Sequence, residues 1–319
     1  MTRSLISIAD VDRDEIGRLL ELTDTFAEVM KRDIKKVPTL RGRTIINMFF
    51  EASTRTATSF EIAGKRLSAD VINVKGSGSS VEKGETLKDT ILTLDAYRPD
   101  AIVIRHKAVG ACLQAARFTD AAVINAGDGT HQHPTQALLD LYTLRSRGLE
   151  FEGLNVAYVG DVMHSRVARS GAEALQKMGA NVRFIAPPTL LPRGADTGLG
   201  VEVSSDISDI AWADVVYVLR MQLERMGDGG FVPSLREYSR EYGVGHERLR
   251  PGQLVMHPGP MNRGVEISDR LADDPDVLIS AQVESGMLVR MAVLYDLIAN
   301  PQAGSKAAPR PVEVTEVAA

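Results

Sequence analysis

The sequence predicts an α/β protein with two doubly wound parallel-sheet domains and an active site in the cleft between them. Short apolar runs of strand character alternate with amphipathic helical segments along the whole chain, which is typical of parallel sheets covered by helices on both faces. The length of 319 residues suits two domains of roughly 150 residues each. Cys112 is the single cysteine, so an intramolecular disulfide is impossible and a cysteine-based metal site is disfavoured.

The elements of the first half follow from the spacing of their apolar residues. A helix begins after Asp12, because Asp12 and Glu15 resemble a capping box and apolar residues then recur at helical spacing. The predicted elements that follow are a strand over 44–50, a helix through 60–67, a strand over 71–74, a flexible loop over 76–80, a helix over 87–94, and strands over 101–105 and 122–126. Pro134 suits the first turn of the next helix.

The second half repeats this alternation. Its predicted elements are strands over 155–159, 182–185, 215–219 and 254–256, with a helix over 165–178. Ser285 and Gly286 precede a closing amphipathic helix. We therefore divide the chain into a first domain over 1–148 and a second over 149–283, with a closing helix over 284–300 that joins the first. The last stretch, 301–319, is rich in Ala, Pro and Glu and is predicted to be a mobile tail.

Charge and hydropathy exclude several classes of protein. The 37 basic and 42 acidic side chains give a net charge of −5, which argues against a nucleic-acid binder with its usual basic balance. No apolar run approaches the ~18 residues that a membrane span needs, and the amino terminus lacks an apolar stretch of signal-peptide length. We therefore expect a soluble, cytoplasmic protein.

The first cluster of functional side chains follows the strand that ends at Phe50. In parallel α/β sheets, ligands bind at the carboxyl ends of the strands. Here Ser53, Thr54, Arg55 and Thr56 lead into a helix, whose first turn offers free backbone N–H groups and a partial positive charge. This pattern favours a socket for a dianion. An equally simple alternative is that Ser53 or Thr54 caps the helix and Arg55 lies on the surface.

The other strand ends deliver three more arginines and a histidine. Arg105, Arg166 and Arg220 each follow a predicted strand, and holding so many cations in place is explained most simply by an anionic ligand that bonds to them. His133 and Gln136 flank the start of a helix and suit hydrogen bonds to a carbonyl or an amide.

Patterns for other chemistries are weak. His131 and His133 lie two residues apart, but no Glu or Cys stands at a spacing that would complete a metal site, so we expect no metal. The turn at 160–166 lacks the G-x-G-x-x-G spacing, so we expect no dinucleotide and no other cofactor. Neither a Ser-His-Asp order nor an activated cysteine stands out. The site is therefore predicted to work by positioning and charge stabilisation, without a covalent intermediate.

Five motifs resemble those of a known family. Phe50-Glu51-Ala52-Ser53-Thr54-Arg55-Thr56 is similar to the carbamoyl-phosphate signature of the aspartate and ornithine carbamoyltransferases. The others, in the family's order, are Lys83-Gly84-Glu85-Thr86, His133-Pro134-Thr135-Gln136, Gly160-Asp161 with Arg166, and His257-Pro258-Gly259-Pro260. The resemblance covers nearly the whole chain up to about residue 300. It implies that the first domain binds carbamoyl phosphate and the second the amino acid.

The second substrate separates the two branches of the family. Ornithine enzymes resemble one another in a Ser-Met-Gly motif and a His-Cys-Leu-Pro motif, whereas the matching places here read Leu219-Arg220-Met221-Gln222 and His257-Pro258-Gly259-Pro260. Arg166 and Arg220 suit the two carboxylates of aspartate and would repel the cationic chain of ornithine. The resemblance thus implies carbamoyl transfer to L-aspartate, an early step of de novo pyrimidine biosynthesis. Transfer to ornithine or another amine, an inactive assembly partner, and a nucleotide-binding regulatory module are the alternatives.

The resemblance also implies roles for particular residues. The carbamoyl-phosphate set is Ser53, Thr54, Arg55, Thr56, Arg105, His133, Gln136, Gly259 and Pro260; the aspartate set is Lys83, Arg166, Arg220 and Gln222; the catalytic set is Thr56, Lys83, Arg105 and His133. Family members bring the loop with Lys83, and Ser79 or Ser80, from a neighbouring subunit, so a homotrimer with shared sites is expected. The sequence leaves open whether a regulatory chain binds.

Overall fold

A parallel four-stranded sheet forms the first half of the protein. The computed structural model describes residues 3–76, 84–223 and 230–300. The strands of this sheet are β1 (Thr44–Phe49), β2 (Asp70–Lys75), β3 (Ala101–His106) and β4 (Ala122–Asp128). Their order is β2-β1-β3-β4, with every pair parallel. The chain therefore leaves β1 in one direction and returns across it to β3, which places a topological switch point between these two strands.

A parallel five-stranded sheet forms the second half. Its strands are β5 (Asn155–Gly160), β6 (Asn181–Ile185), β7 (Glu202–Ser204), β8 (Val215–Leu219) and β9 (Leu254–Met256). Their order is β7-β6-β5-β8-β9, again with parallel pairs, so the switch point lies between β5 and β8. The predicted fold class of two parallel-sheet α/β domains is confirmed. The short edge strand β7 was not predicted, because its residues are mostly exposed and lack an apolar run.

Helices cover both sheets. They are α1 (Arg13–Met30), α2 (Thr54–Arg66), α3 (Leu87–Asp95), α4 (Ala111–Ala115), α5 (Pro134–Ser146), α6 (Arg166–Lys177), α7 (Ala195–Gly198), two short helices over Leu235–Tyr242 and Asp269–Ala272, and a closing helix over Ile279–Ala299. The predicted capping residues act as expected at two of them. Asp12 accepts a hydrogen bond from the backbone N–H of Glu15, and Pro134 occupies the first turn of α5. No helix in the described parts of the chain is long and apolar enough to cross a bilayer.

The closing helix begins earlier than predicted. We expected it to start after Ser285 and Gly286, but it begins at Ile279. Gly286 lies inside the helix because its neighbours leave no room for a side chain: an added Cβ would lie 2.7 Å from Nη1 of Arg290 and 3.2 Å from the Leu139 side chain. The helix packs on α1, α2 and α5. The boundaries proposed for the two domains stay a prediction.

Helix α5 is buried on all sides between the first sheet, α6 and the closing helix. Its residues from Pro134 to Leu144 are all buried, and they include the polar side chains of Gln136 and Asp140. A polar group buried in such a helix needs hydrogen-bond partners, because its desolvation is costly. Gln136 lines the adjacent cavity, and Asp140 lies behind it in the core.

Candidate active site

A cavity of about 860 Å³ lies at the carboxyl ends of strands from both sheets. Twelve of the predicted site residues line it, namely Ser53, Thr54, Arg55, Thr56, Arg105, His133, Gln136, Arg166, Arg220, Gln222, Gly259 and Pro260. The structure thus brings together residues that are up to 207 positions apart in the sequence. Lys83, with Ser79 and Ser80, lies outside the described residues. The individual roles of these residues stay predictions.

The loop after β1 presents an open helix terminus to the cavity. Ser53 precedes α2 with an extended backbone, and its side chain makes no capping bond to that helix within the described chain. Ser53 thus occupies the N-cap position without a side-chain bond, and Thr54 already lies in the first turn, so the capping part of the simpler alternative is wrong. Its other part is met, because the side chain of Arg55 is exposed at the mouth of the cavity. Unsatisfied N–H groups of a first turn attract an anion, and the buried Thr56 lies on the same turn.

A glycine turn closes against Arg55 from the opposite side of the cavity. Gly259 has a φ of +59°, and an added Cβ would lie 2.3 Å from the guanidinium carbon of Arg55. Only glycine fits this position without displacing the arginine. Partial burial lowers the pKa of Arg55, so its charge is partly desolvated and poised for an anion.

Glu51 joins two of the predicted arginines. Its Oε1 accepts hydrogen bonds from Nη2 of Arg105 at 2.5 Å and from Nη2 of Arg166 at 2.6 Å. Arg166 also donates to the carbonyl of Gly129 at 3.0 Å. Both guanidinium groups are largely buried, with 12% and 6% of the side chains exposed, so the shared carboxylate offsets their mutual repulsion.

Gly127 allows the two arginines to approach the sheet. Its φ is +117°, and an added Cβ would lie 2.9 Å from Nε of Arg166 and 3.2 Å from Nη1 of Arg105. Arg105 donates to the carbonyl of Ala126 at 3.3 Å. The end of β4 is therefore shaped around both guanidinium groups.

His133 is a neutral imidazole at the inner wall of the cavity. It is 3% exposed, and burial, together with the charges of Arg105, Arg166 and Arg290, holds its pKa well below the usual range. Its backbone N–H donates to Ser170 Oγ at 2.7 Å. A neutral ring can donate a hydrogen bond to a developing oxyanion without itself carrying charge.

Buried Asp161 fixes the turn that carries Gln222. Its Oδ2 accepts from the backbone N–H of Gln222 at 3.1 Å, and its Oδ1 lies 2.8 Å from Nδ1 of His164. The Gln222 amide donates to the carbonyl of His164 at 3.0 Å. The turns after β5 and β8 are thus locked together where Arg166 and Arg220 line the cavity.

His257 holds the turn at 257–260 through both ring nitrogens. Nδ1 accepts from the backbone N–H of Gly259 at 2.8 Å, so the proton of the neutral ring lies on Nε2, which is 3.3 Å from Oε1 of Glu266. His257 and Glu266 are both fully buried. This pair orients the backbone that faces Arg55.

The two histidines considered for a metal have separate partners. Nδ1 of His131 lies 3.1 Å from Oδ2 of Asp128, and that hydrogen bond raises the pKa of His131, whereas His133 faces the arginines. Over the described residues, no group of three or more His, Cys, Asp or Glu side chains could hold a metal ion.

Family models match almost the whole chain. Residues 3–146 match the carbamoyl-P binding domain of aspartate/ornithine carbamoyltransferase, and residues 152–297 match the Asp/Orn binding domain. The chain belongs to the aspartate/ornithine carbamoyltransferase family.

Similar proteins in this carbamoyltransferase family include members of the aspartate branch. The chain is 56% identical over 299 residues to the aspartate carbamoyltransferase catalytic subunit of Beijerinckia indica, covering 92% of this chain and 94% of that protein. It superposes with a TM-score of 0.83 on the aspartate transcarbamoylase of Trypanosoma cruzi in complex with carbamoyl aspartate and phosphate, at 31% identity over 92% and 95% of the two chains. The catalytic subunit of M. jannaschii aspartate transcarbamoylase gives 0.79 at 36% identity over 93% and 98%.

Several polar residues around this carbamoyltransferase site were not assigned from the sequence. Glu51 lies within the first motif but was given no role there, although its position before a turn rich in hydroxyl side chains was a usable signal. Asp161 likewise lies in one of the family motifs and was given no role. Asp140 and Gln282 gave no signal, because each is an ordinary polar residue of a helix until the fold brings them together.

Proposed function

We propose that this chain transfers the carbamoyl group of carbamoyl phosphate to the amine of L-aspartate, giving N-carbamoyl-L-aspartate and phosphate. The observation that carries the proposal is the charge of the cavity. Among the described residues, six cationic side chains and one carboxylate line it: Arg55, Arg105, Lys107, Arg166, Arg220 and Arg290, with Glu51. Such a cavity suits a pair of anionic substrates. The reaction is an early step of de novo pyrimidine biosynthesis.

The donor half of the site binds phosphate and activates the carbonyl. The first turn of α2, with Ser53 to Thr56, binds the phosphate through backbone N–H groups, hydroxyls and the Arg55 guanidinium. Thr56, Arg105 and His133 donate to the carbonyl oxygen and stabilise the negative charge that develops on it. Gln136 and the backbone at Gly259 and Pro260 bind the carbamoyl amide.

The acceptor half selects a dicarboxylate. Arg166 and Arg220 bind the two carboxylates of aspartate, with Gln222 beside them. The cationic side chain of ornithine would meet these charges instead of a counter-ion, which disfavours the ornithine alternative. The curated relatives named as aspartate carbamoyltransferases support the same choice.

The chemical step needs no intermediate that is covalently bound to the protein. The amine of aspartate attacks the carbonyl carbon with its lone pair to form a tetrahedral oxyanion, and the C–O bond to the phosphate breaks as this oxyanion collapses to the new carbonyl. The phosphate leaves with the bonding electrons and carries away the proton from the amine. The site contributes by holding both reactants in contact and by stabilising charge.

The assay that tests this function offers carbamoyl phosphate with either L-aspartate or L-ornithine to the purified protein. We expect carbamoyl-aspartate alone. Arg55→Ala should lose at least about 100-fold in kcat, since it removes a cation from the phosphate socket, while Arg240→Ala, which removes a surface arginine 75% exposed, should not change turnover. Citrulline would refute the aspartate assignment, and no product from folded protein would favour an inactive assembly partner.

The homotrimer with shared sites belongs to the same proposal, as does a cytoplasmic location. Support comes from the resemblance of the 83–86 motif and from relatives named catalytic subunits, a name that implies assembly. Lys83→Ala and Arg55→Ala proteins, each weakly active alone, should regain activity when their subunits are mixed and exchanged. Proven exchange without recovery would contradict sharing.

A further inference from the structure

A buried carboxylate lies behind the part of the cavity that would hold the carbamoyl amide. Asp140 is 4% exposed and stands one turn after Gln136 on α5. Asp140 does not line the cavity, whereas Gln136, Gln282 and His257 do. Any effect of Asp140 on a substrate must therefore pass through these neighbours.

Two side-chain amides donate to the same oxygen of Asp140. Nε2 of Gln136 lies 3.1 Å and Nε2 of Gln282 lies 2.8 Å from Oδ1. The other oxygen, Oδ2, accepts from the Tyr217 hydroxyl at 2.8 Å. These partners come from α5, β8 and the closing helix, so the carboxylate joins elements of both halves of the chain.

The orientation of the Gln282 amide is fixed independently. Its Oε1 accepts from the backbone N–H of His257 at 3.0 Å, and a backbone N–H can only donate. Nε2 of Gln282 must therefore point at Asp140. Through this chain of hydrogen bonds, Asp140 supports the start of the 257–260 turn as well as Gln136.

The orientation of the Gln136 amide follows from the same oxygen. Because Oδ1 accepts from Gln282, it also acts as an acceptor towards Gln136, and a proton on Asp140 would sit on Oδ2 against the Tyr217 oxygen. Nε2 of Gln136 is thus held by Asp140, and its carbonyl oxygen is the atom offered to the cavity. An oxygen there accepts a hydrogen bond from an NH₂ group, and it has no such bond to make with a methyl group.

We propose that Asp140 is a positioning residue that sets the Gln136 amide and the 257–260 turn so that the site selects a carbamoyl over an acetyl group. This inference rests on the proposed function, because it concerns the donor of that reaction. Carbamoyl phosphate and acetyl phosphate have nearly the same shape and differ in NH₂ against CH₃. A site built to bond an N–H discriminates against the analogue that lacks it.

The test compares three ligands on four proteins. Dissociation constants for carbamoyl phosphate, acetyl phosphate and inorganic phosphate are measured by calorimetry on the wild type, Asp140→Leu, Asp140→Asn and Asp296→Asn. Leucine removes the acceptor while keeping the number and branching of the side-chain heavy atoms, whereas asparagine keeps an oxygen towards Gln136 and an NH₂ towards Tyr217. Asp296 is the matched control, a buried carboxylate that pairs with Arg3 and Arg18 and does not line the cavity.

We expect Asp140→Leu to reduce the preference for carbamoyl over acetyl phosphate about tenfold, the effect of one lost hydrogen bond. Its affinity for inorganic phosphate should stay within about twofold of the wild type, since the phosphate socket is untouched, and Asp140→Asn should keep most of the preference. Asp296→Asn should lower the melting temperature without changing the preference. A general loosening of the fold would weaken all three ligands together.

Two results would overturn the inference: an unchanged preference in Asp140→Leu, or equal losses for carbamoyl phosphate and inorganic phosphate. If the leucine variant does not fold, Gln282→Met tests the same inference. It breaks the link between Asp140 and the 257–260 turn and should therefore lower the preference for carbamoyl over acetyl phosphate. A wild-type preference in Gln282→Met would then refute the proposal. Failure of the wild type to make carbamoyl-aspartate would instead refute the proposed function.

Discussion

Replacing Asp140 by asparagine should change how stability depends on pH. Burial raises the pKa of Asp140 to about 7, against the lowering effect of its hydrogen bonds from Gln282, Tyr217 and Gln136. Because the folded-state pKa lies above the value of 3.8 expected for an unfolded aspartate, the folded protein binds this proton more tightly. Its contribution to stability is present at low pH and is lost as the pH rises towards 7.

The magnitude follows from the size of this shift. Between pH 5 and pH 8 the wild type should lose about 2.5 kcal/mol of unfolding free energy from Asp140, whereas Asp140→Asn has no proton to release. The difference in unfolding free energy between the two proteins should therefore move by that amount in favour of asparagine. Titrations common to both proteins cancel in the difference.

Urea unfolding at pH 5, 6, 7 and 8 measures this difference. Asp33→Asn, at an exposed position, serves as the control and should give a difference from wild type that stays flat within about 0.5 kcal/mol. A flat difference for Asp140→Asn as well would mean that Asp140 is ionised throughout. The reasoning from burial would then be wrong, and its hydrogen bonds would dominate.

Three further predictions concern the site. Gly127→Ala should lower kcat/KM at least about 100-fold, because the added Cβ displaces both guanidinium groups. The control Gly148→Ala also lies at positive φ but has open space around it, so its kcat/KM should not fall. Equal activity of the two variants would contradict this. Asp161→Asn should raise the KM for aspartate about tenfold by freeing the Gln222 turn, with inhibition by phosphate unchanged; an unchanged KM would refute the link. The ring of His133 should stay neutral from pH 6 to pH 9 in nitrogen NMR spectra, and a transition near pH 6.5 would refute its burial-lowered pKa.

Most of the fold was predictable because its signals are local. Apolar runs bounded by turn residues identified eight of the nine described strands, and their alternation with helices identified parallel sheets. The start of the closing helix was not predictable in this way. Gly286 suggests a helix boundary from sequence alone, and only the close approach of Arg290 and Leu139 explains why a glycine lies inside the helix.

The candidate site also contains some residues that local sequence signals predict and others that they do not. Residues at strand ends, such as Arg105 and Arg220, could be predicted, because the topology of a parallel sheet gathers all such ends at one edge. The network of Asp140, Tyr217 and Gln282 could not, since its members are separated by 77 and 142 positions from Asp140. Such contacts follow from how α5 packs, which periodicity does not reveal.

The position of Glu51 follows from the cost of the charges that the site needs. Arg105 and Arg166 lie close enough to share one carboxylate oxygen, and both are largely buried, so without a counter-ion they would repel each other in a medium that screens poorly. Glu51 is 28% exposed and can therefore be solvated when a substrate anion takes over one of these bonds. For a fully buried carboxylate, losing these bonds would cost more free energy, because water could not replace them. The partial exposure of Glu51 therefore meets two requirements. Glu51 neutralises the largely buried guanidinium groups in the free protein, and it can release them to a substrate anion.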